Sequence, residues 1–361
     1  MQKYYDLKKI NSRHAQYNVV FGERSNGKTY AVLKYALQRY ADQGKQLAIV
    51  RRWQEDFTGK RGSVMFDALI ANKEVFNATQ GEWTSVYYYG GRWYLARFDD
   101  RGNMDHDERP FAYGFALSQG EHDKSTAYPD IDTVLFDEFI SRQGYLKDEF
   151  VLFMNVLSTI IRQRDDVTIY MLGNTVNKYC PYFGEMGLTH VKSQKQGTID
   201  VYRYGDSELK VAVEYVSPSN QGKPSDVYFA FDNPKLSMIT GGEWEISVYP
   251  HCPMSYRPAD VVFVYFIEFD GELLQCEVVV KDGARFLFIH RKTTPLQNED
   301  KDLIFSPEFD PRPNHRTDIT NAYDKIGKAV SVDWVADKVY YQDNEVGEVV
   351  RNYLEWCGKA K

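Results

Sequence analysis

Cysteine is scarce and unpatterned in this chain. Cys180, Cys252, Cys276 and Cys357 lie far apart, form no C-x-x-C pair, and only Cys252 has a neighbouring histidine, His251. That spacing excludes a disulfide framework and a thiolate zinc site as organising features and leaves buried or incidental thiols. No stretch approaches the roughly 18 apolar residues of a membrane span. Met1 to Arg13 is polar and charged rather than signal-like, so a cytoplasmic protein with no membrane partner is expected. Positive charge is not in excess either: 44 Lys and Arg against 51 Asp and Glu give a net charge of -7. Such a balance excludes a surface uniformly attracted to nucleic acid and confines any such contact to local patches. Internal repeats and long low-complexity tracts are missing as well. Aromatic residues, by contrast, are plentiful, with 27 Tyr and 21 Phe, a content that points to strand-rich packing before base stacking.

The first half alternates between strand-like and helix-like segments. Strands are expected at 17–21, 46–52, 111–117, 131–136 and 167–172, with helices at 28–42 and 149–164, the rhythm of a parallel sheet of five core strands. Gly90-Gly91 joins 84–89 to 92–98 as a hairpin inserted at the sheet edge, and two further strands surround Gly205-Asp206 between 198 and 215. The Pro/Gly/Ser-rich stretch from Ser217 to Ser225 reads as a domain boundary. Beyond it, 260–269, 272–281 and 284–290 form a meander around Asp270-Gly271 and Asp282-Gly283, and 344–357 reads as an amphipathic helix.

Gly22-Glu23-Arg24-Ser25-Asn26-Gly27-Lys28-Thr29 is a complete G-x-x-x-x-G-K-[ST] loop between a strand and a helix. In such a loop the glycines let backbone N–H groups wrap phosphates, the lysine bridges their outer oxygens, and the Thr hydroxyl ligates magnesium, with the helix N-terminus aimed at the same anion. All eight residues are candidate ATP contacts. Thr133 to Glu138 is a buried strand ending in two acids, the Walker B pattern. Asp137 is expected to hold magnesium together with Thr29, and Glu138 to orient or deprotonate the attacking water, a pairing that favours hydrolysis.

Hydrolysis leaves charge on the outer phosphate that a guanidinium can neutralise, often one contributed by the next subunit of a ring. Arg162 and Arg164 at the end of the 149–164 helix, Arg51 and Arg52 closing the second strand, and Arg24 inside the loop all compete for that role. Lys124, in the loop before the Walker B strand, is a further candidate. Asn174, after the fifth strand, is expected to sense the nucleotide, although Asn at a strand end is also ordinary turn chemistry. Thr58-Gly59-Lys60-Arg61-Gly62 has the composition of a mobile basic loop, with Lys60 and Arg61 as candidate DNA contacts.

The loop with its internal Arg24, Val50-Arg51-Arg52-Trp53, Ala127-Tyr128-Pro129, Val134 to Ile140, Arg162-Gln163-Arg164, and Gln342 to Leu354 together resemble the DNA-packaging ATPases of phi-29-type tailed phages. The resemblance spans nearly the full chain and weakens across 218–330. It implies an α/β chain with an additional-strand, catalytic-glutamate (RecA-like) P-loop ATPase domain at 1–216, a linker or lid at 217–245, and a smaller, sheet-centred, vestigial RNase H-like domain at 246–361. Implied with it are ATP and magnesium, a pentameric homo-oligomeric ring, double-stranded DNA, and a site at the procapsid portal reached transiently from the host cytoplasm. Arg162 would be the trans arginine finger, with Lys124 also acting in trans. A structural packaging RNA is associated with the family, but no RNA-recognition motif occurs here. Two alternatives stay open: a terminase with an active nuclease, and a nucleotide switch that assembles without translocating. The acids Glu268, Asp270, Glu272 and Glu277 of the meander read as solvated charge rather than as a two-metal nuclease set.

Overall fold

In a computed structural model of the chain the described residues are 5–24, 26–119, 127–142, 144–217, 244–298 and 300–358. The chain divides into two compact units, Met1–Trp244 and Glu245–Lys361. Most of the expected linker, 218–243, lies outside the described residues, as do Ser25 and Lys124.

The first unit is built on one ten-stranded sheet. Its strands are β1 (Tyr17–Gly22), β2 (Gln46–Arg51), β3 (Ser85–Tyr89), β4 (Arg92–Phe98), β5 (Met104–His106), β6 (Ala112–Ala116), β7 (Ile131–Asp137), β8 (Thr168–Asn174), β9 (Ile199–Arg203) and β10 (Lys210–Tyr215). The order is β3-β4-β6-β2-β7-β8-β1-β10-β9, with β5 beside β4. From β6 to β10 every neighbouring pair is parallel. The hairpin β3–β4 lies antiparallel at one edge, where the Gly-Gly turn put it.

The helices are α1 (Lys8–Asn11), α2 (Lys28–Gln43), α3 (Gly59–Ser63), α4 (Asp67–Ala71), α5 (Glu74–Ala78), α6 (Glu149–Ile161) and α7 (Pro181–Glu185). Strand side chains alternate between two cores. Val19, Phe21, Val134 and Phe136 join α6 through Phe153, Val156, Leu157 and Ile160. Val20, Leu47, Ile49 and Leu135 join α2 through Val32, Leu33, Ala36 and Leu37. A sheet covered on both faces needs continuous apolar strands, which is why β7 is buried along its whole length.

Four expectations need correction. The 149–164 helix stops at Ile161, because Arg162 turns into the left-handed region (φ 53°). Arg164 folds back there, its Nη2 donating to the carbonyls of Ile160, Ile131 and Tyr128 and so capping the helix end. Second, Gly173 and Asn174 are the last residues of β8 rather than residues that follow it. Third, β10 pairs in parallel with β1 and extends the core beyond five strands. Finally, Thr58 to Gly62 is not a loop: Gly59–Ser63 is the single helical turn α3.

The second unit holds a six-stranded sheet in the order β15-β14-β11-β12-β13-β16. The antiparallel meander is β11 (Val261–Phe269), β12 (Glu272–Lys281) and β13 (Ala284–Arg291). The flanking strands are β14 (Ile304–Phe305), β15 (His315–Arg316) and β16 (Val339–Tyr341). Both meander turns carry the Asp-Gly pair with positive φ that a two-residue hairpin requires. The helices are α8 (Lys325–Val335) and α9 (Asn344–Gly358), and α9 buries Val346, Val349, Val350, Tyr353 and Cys357. All four cysteines are free. No helix among the described residues is long and apolar enough to cross a membrane.

Candidate active site

Parallel pairing puts the carboxyl ends of β2, β7, β8 and β1 side by side, so Arg51, Asp137, Asn174 and Gly22 end on one edge. A cleft of about 420 Å³ opens there between Asn26 to Thr29 on one wall and Asp137, Glu138 and Asn174 on the other. Crevices at strand carboxyl ends are where open α/β sheets bind ligands.

Lys28, the first residue of α2, is only 6% exposed. Its Nζ donates to the Glu23 carbonyl (2.6 Å), Asn26 Oδ1 (3.2 Å) and Asn174 Oδ1 (3.3 Å). Burial lowers its pKa from the usual 10.5 to about 8, partly offset by Asp137 and Glu23. The Asn26 Nδ2 is buried with no partner among the described residues. Thr29 Oγ1 donates to Asp137 Oδ1 at 3.0 Å, so hydroxyl and carboxylate share one corner of the cleft.

The chain turns sharply after β7. Glu138 has φ 61°, a conformation that costs a non-glycine residue about 1–2 kcal/mol. Three contacts hold it. Phe139, fully buried, donates its N–H to the Leu172 carbonyl (3.1 Å). Arg52 reaches the carbonyls of Glu138 (3.4 Å) and Phe139 (3.0 Å). Gly173 leaves room for the turn, since a Cβ there would come within 2.7 Å of Ile140. The Glu138 side chain remains 64% exposed at the mouth of the cleft.

Arg51 and Arg52, undecided from the sequence, separate completely. Arg52 is buried, makes two 2.7 Å bonds to Glu149 at the start of α6, and stacks on Tyr145. Arg51 faces the cleft acids: Nη2 lies 2.5 Å from Asp137 Oδ2 and Nη1 3.3 Å from Glu138 Oε2. Sequence reasoning also missed Glu149 and Tyr30. The Tyr30 hydroxyl donates to Glu74 (2.8 Å) while its residue lines the cleft. For Arg51 the available signal was strand order, because β2 adjoins β7.

Arg24 is exposed at the rim of the cleft. Arg162 is not at the cleft. Helix α6 starts at Glu149, bonded to Arg52 at the carboxyl end of β2, and runs about 20 Å to the opposite edge, where Arg164 binds the carbonyl of Ile131 at the start of β7. Arg162 therefore stands exposed at the far edge of its own sheet. Lys60 and Arg61 are exposed on α3, with Arg61 3.8 Å from Asp56. In the second unit Glu272 pairs with Arg291 (3.2 Å), Glu277 binds Tyr256, Gln275 and His290, and Glu268 and Asp270 are exposed. Among the described residues no group of three or more His, Cys, Asp or Glu is placed to share a metal ion.

Fold and site thus define a mixed α/β protein with a large, mainly parallel sheet and a polar cleft at the carboxyl ends of its central strands. Residues 1–223 match the family described as Podovirus DNA encapsidation protein (Gp16), and the chain belongs to that family. The DNA packaging protein of Bacillus phage phi29 is 24% identical over 289 residues, covering 79% of this chain and 78% of that protein. The DNA packaging protein of Bacillus phage B103 is 29% identical over 175 residues, 47% of this chain and 48% of that protein. The solved bacteriophage Phi-29 viral genome packaging motor assembly contains a chain with a similar fold, at TM-score 0.55 and 19% identity, over 98% of this chain and 99% of that one.

Proposed function

We propose that this chain is the ATP-hydrolysing subunit of a ring motor that drives double-stranded viral DNA into a preformed procapsid. One observation carries the reading. A buried cation, Lys28, and a buried amide donor with no partner among the described residues, Asn26 Nδ2, face two acids across one cleft. A buried donor without an acceptor is costly, and a polyphosphate supplies that acceptor and an anion for Lys28. Residues Gly22 to Thr29 are its cradle, and Arg24 at the rim reaches its outer end. Asn174, bonded to Lys28, senses whether the phosphate is there. Glu138 orients and deprotonates the attacking water, and Arg51, which holds both acids, must release Glu138 for that task.

The residues fit magnesium. Thr29 and Asp137 present a hydroxyl and a carboxylate oxygen 3.0 Å apart, the hard donors this ion takes. Bound there, magnesium would neutralise phosphate charge.

The first unit is read as an additional-strand, catalytic-glutamate ATPase domain because β8 lies between β1, which leads into the phosphate loop, and β7, which carries the acids. The finer division into 1–216, a 217–245 linker and a vestigial RNase H-like 246–361 is proposed from the composition break at Ser217 to Ser225 and the family resemblance. A pentameric ring, the portal vertex, a packaging RNA and the host cytoplasm are proposed on that resemblance alone. Arg162 completes the site of the next subunit, since it cannot reach its own, and Lys124 is assigned beside it. Lys60 and Arg61 contact DNA phosphates.

Measuring ATP turnover of Glu138→Gln with and without duplex DNA tests the proposal. Turnover at the wild-type rate would reject Glu138 as the base, and a wild-type chain that binds ATP without DNA-stimulated hydrolysis would identify a nucleotide switch instead.

A further inference from the structure

The edge hairpin β3–β4 has two faces, and its inner face is spent on the short segment that carries Lys60 and Arg61. Trp93 is fully buried and its indole Nε1 donates to the Gly62 carbonyl at 2.8 Å. Directly opposite in the hairpin, Tyr88 donates its hydroxyl to the Phe57 carbonyl. The Tyr88 ring occupies the space that any side chain at residue 62 would fill, so it rests on bare backbone. Phe57 and Phe66 each meet Trp93 edge to face, at 5.9 and 5.7 Å. The segment is thus pinned before, at and after α3, while Lys60 and Arg61 between the pins stay exposed.

A five-residue helix does not hold itself together in water, since nucleation costs more than one turn returns. The Trp93 N–H adds a hydrogen bond from outside the helix to the Gly62 carbonyl near its end. What fixes the turn is therefore the hairpin. We propose that Tyr88 and Trp93 are positioning residues for duplex DNA: the hairpin β3–β4 clamps α3 so that Lys60 and Arg61 meet the phosphate backbone from a preformed turn. A preformed grip spends its ordering entropy on folding and not on each engagement, which suits a protein that must grip and release repeatedly. The inference rests on the reading of Lys60 and Arg61 as phosphate contacts.

A double-mutant cycle separates the two. Binding of the full-length chain to a duplex DNA probe is measured across salt concentrations for wild type, Tyr88→Phe/Trp93→Phe, Lys60→Ala/Arg61→Ala, and all four substitutions together, with melting curves to verify folding. Removing the two cations should flatten the slope of log K against log salt by about 1.8, the loss of two phosphate contacts. Removing the two donors should weaken binding roughly threefold or more in the wild-type background and change nothing further once the cations are gone. Wild-type affinity in the donor variant, or the same loss in both backgrounds, overturns the clamp while leaving the phosphate contacts standing. Wild-type affinity and slope in Lys60→Ala/Arg61→Ala overturn the contacts and the clamp with them. Should the donor pair fail to fold, Tyr88→Phe alone carries the same cycle with the same outcomes.

Discussion

Acidic residues sit on strands or at their ends in both units of this molecule, with opposite results. In the first unit the central strands run in parallel, so their carboxyl ends fall on one edge, and Asp137 and Glu138 arrive beside Thr29, Arg51 and Lys28. In the second the meander runs back and forth, and its acids sit at the start of β12 (Glu272) and in its middle (Glu277). Glu272 settles on Arg291, and Glu277 settles on Tyr256, Gln275 and His290. Acid count does not distinguish the two regions. Strand direction does, because it decides whether acids converge on the phosphate-loop cleft or are taken up by local partners, as Arg291 takes up Glu272, Asp343 and Glu345.

The comparison breaks most visibly through substitution of the acids themselves. Glu138→Gln should lower ATP turnover by about 10²–10⁴ while ATP binding persists, whereas Glu272→Gln should hydrolyse at the wild-type rate. A steady-state assay of both decides, and a dead Glu272→Gln would put chemistry in the wrong unit. The next effect is on stability. Arg52→Ala strands Glu149 in the core and should cost about 3–5 kcal/mol in denaturant unfolding, so a wild-type midpoint would show that the buried pair does not hold the turn at Glu138.

Protonation sharpens the contrast further. With its pKa lowered to about 8 by burial, Lys28 loses its charge above that pH in the nucleotide-free protein, and an arriving polyphosphate draws the proton back. ATP affinity should then fall by up to about tenfold per pH unit above pH 8, with proton uptake on binding, measurable by calorimetry in buffers of different ionisation heat. Affinity that stays flat to pH 9.5 contradicts this. The smallest effect belongs to the second unit. The hydrogen bond from His290 holds Glu277 at about 2, below the usual 4.5, and Glu277 raises His290 above 6.5. Stability from the carboxylate is complete above about pH 4.5 and is lost as pH falls through about 2. Stability from the imidazolium is complete below about pH 6.5 and is lost as pH rises through its raised value. The difference in melting between wild type and Glu277→Gln should therefore be greatest between about pH 4.5 and 6.5, near 1 kcal/mol, and a pH-independent difference would refute the pairing.

Much of the cleft was legible in the chain because local signals agreed: apolar runs bounded the phosphate-loop motif, and the Gly-Gly and Asp-Gly pairs marked hairpins that do form. Illegible features were those fixed by distant partners. Alternation identifies β9 and β10 as strands yet says nothing of which sheet edge they join. Nothing near Arg162 breaks a helix; the break comes from Arg164 binding carbonyls some thirty residues away. Gly59 and Gly62 looked like loop residues, when Gly62 is small because Tyr88 lies on it. Arg51 and Arg52 are indistinguishable by type, and their distant partners separate them, Asp137 at the cleft for one and Glu149 in the core for the other.

On the proposed reading each site is finished by an arginine from the next subunit, because Arg162 stands at the far edge of its own sheet. Mixing tests it directly. Glu138→Gln and Arg162→Ala, each inactive alone (the finger is worth about 10³ or more), are combined at ring-forming concentration and assayed for DNA-stimulated ATP turnover. Activity should return, because a Glu138→Gln subunit still offers Arg162 to a neighbour whose Glu138 is intact. A mixture as inactive as its components would contradict it.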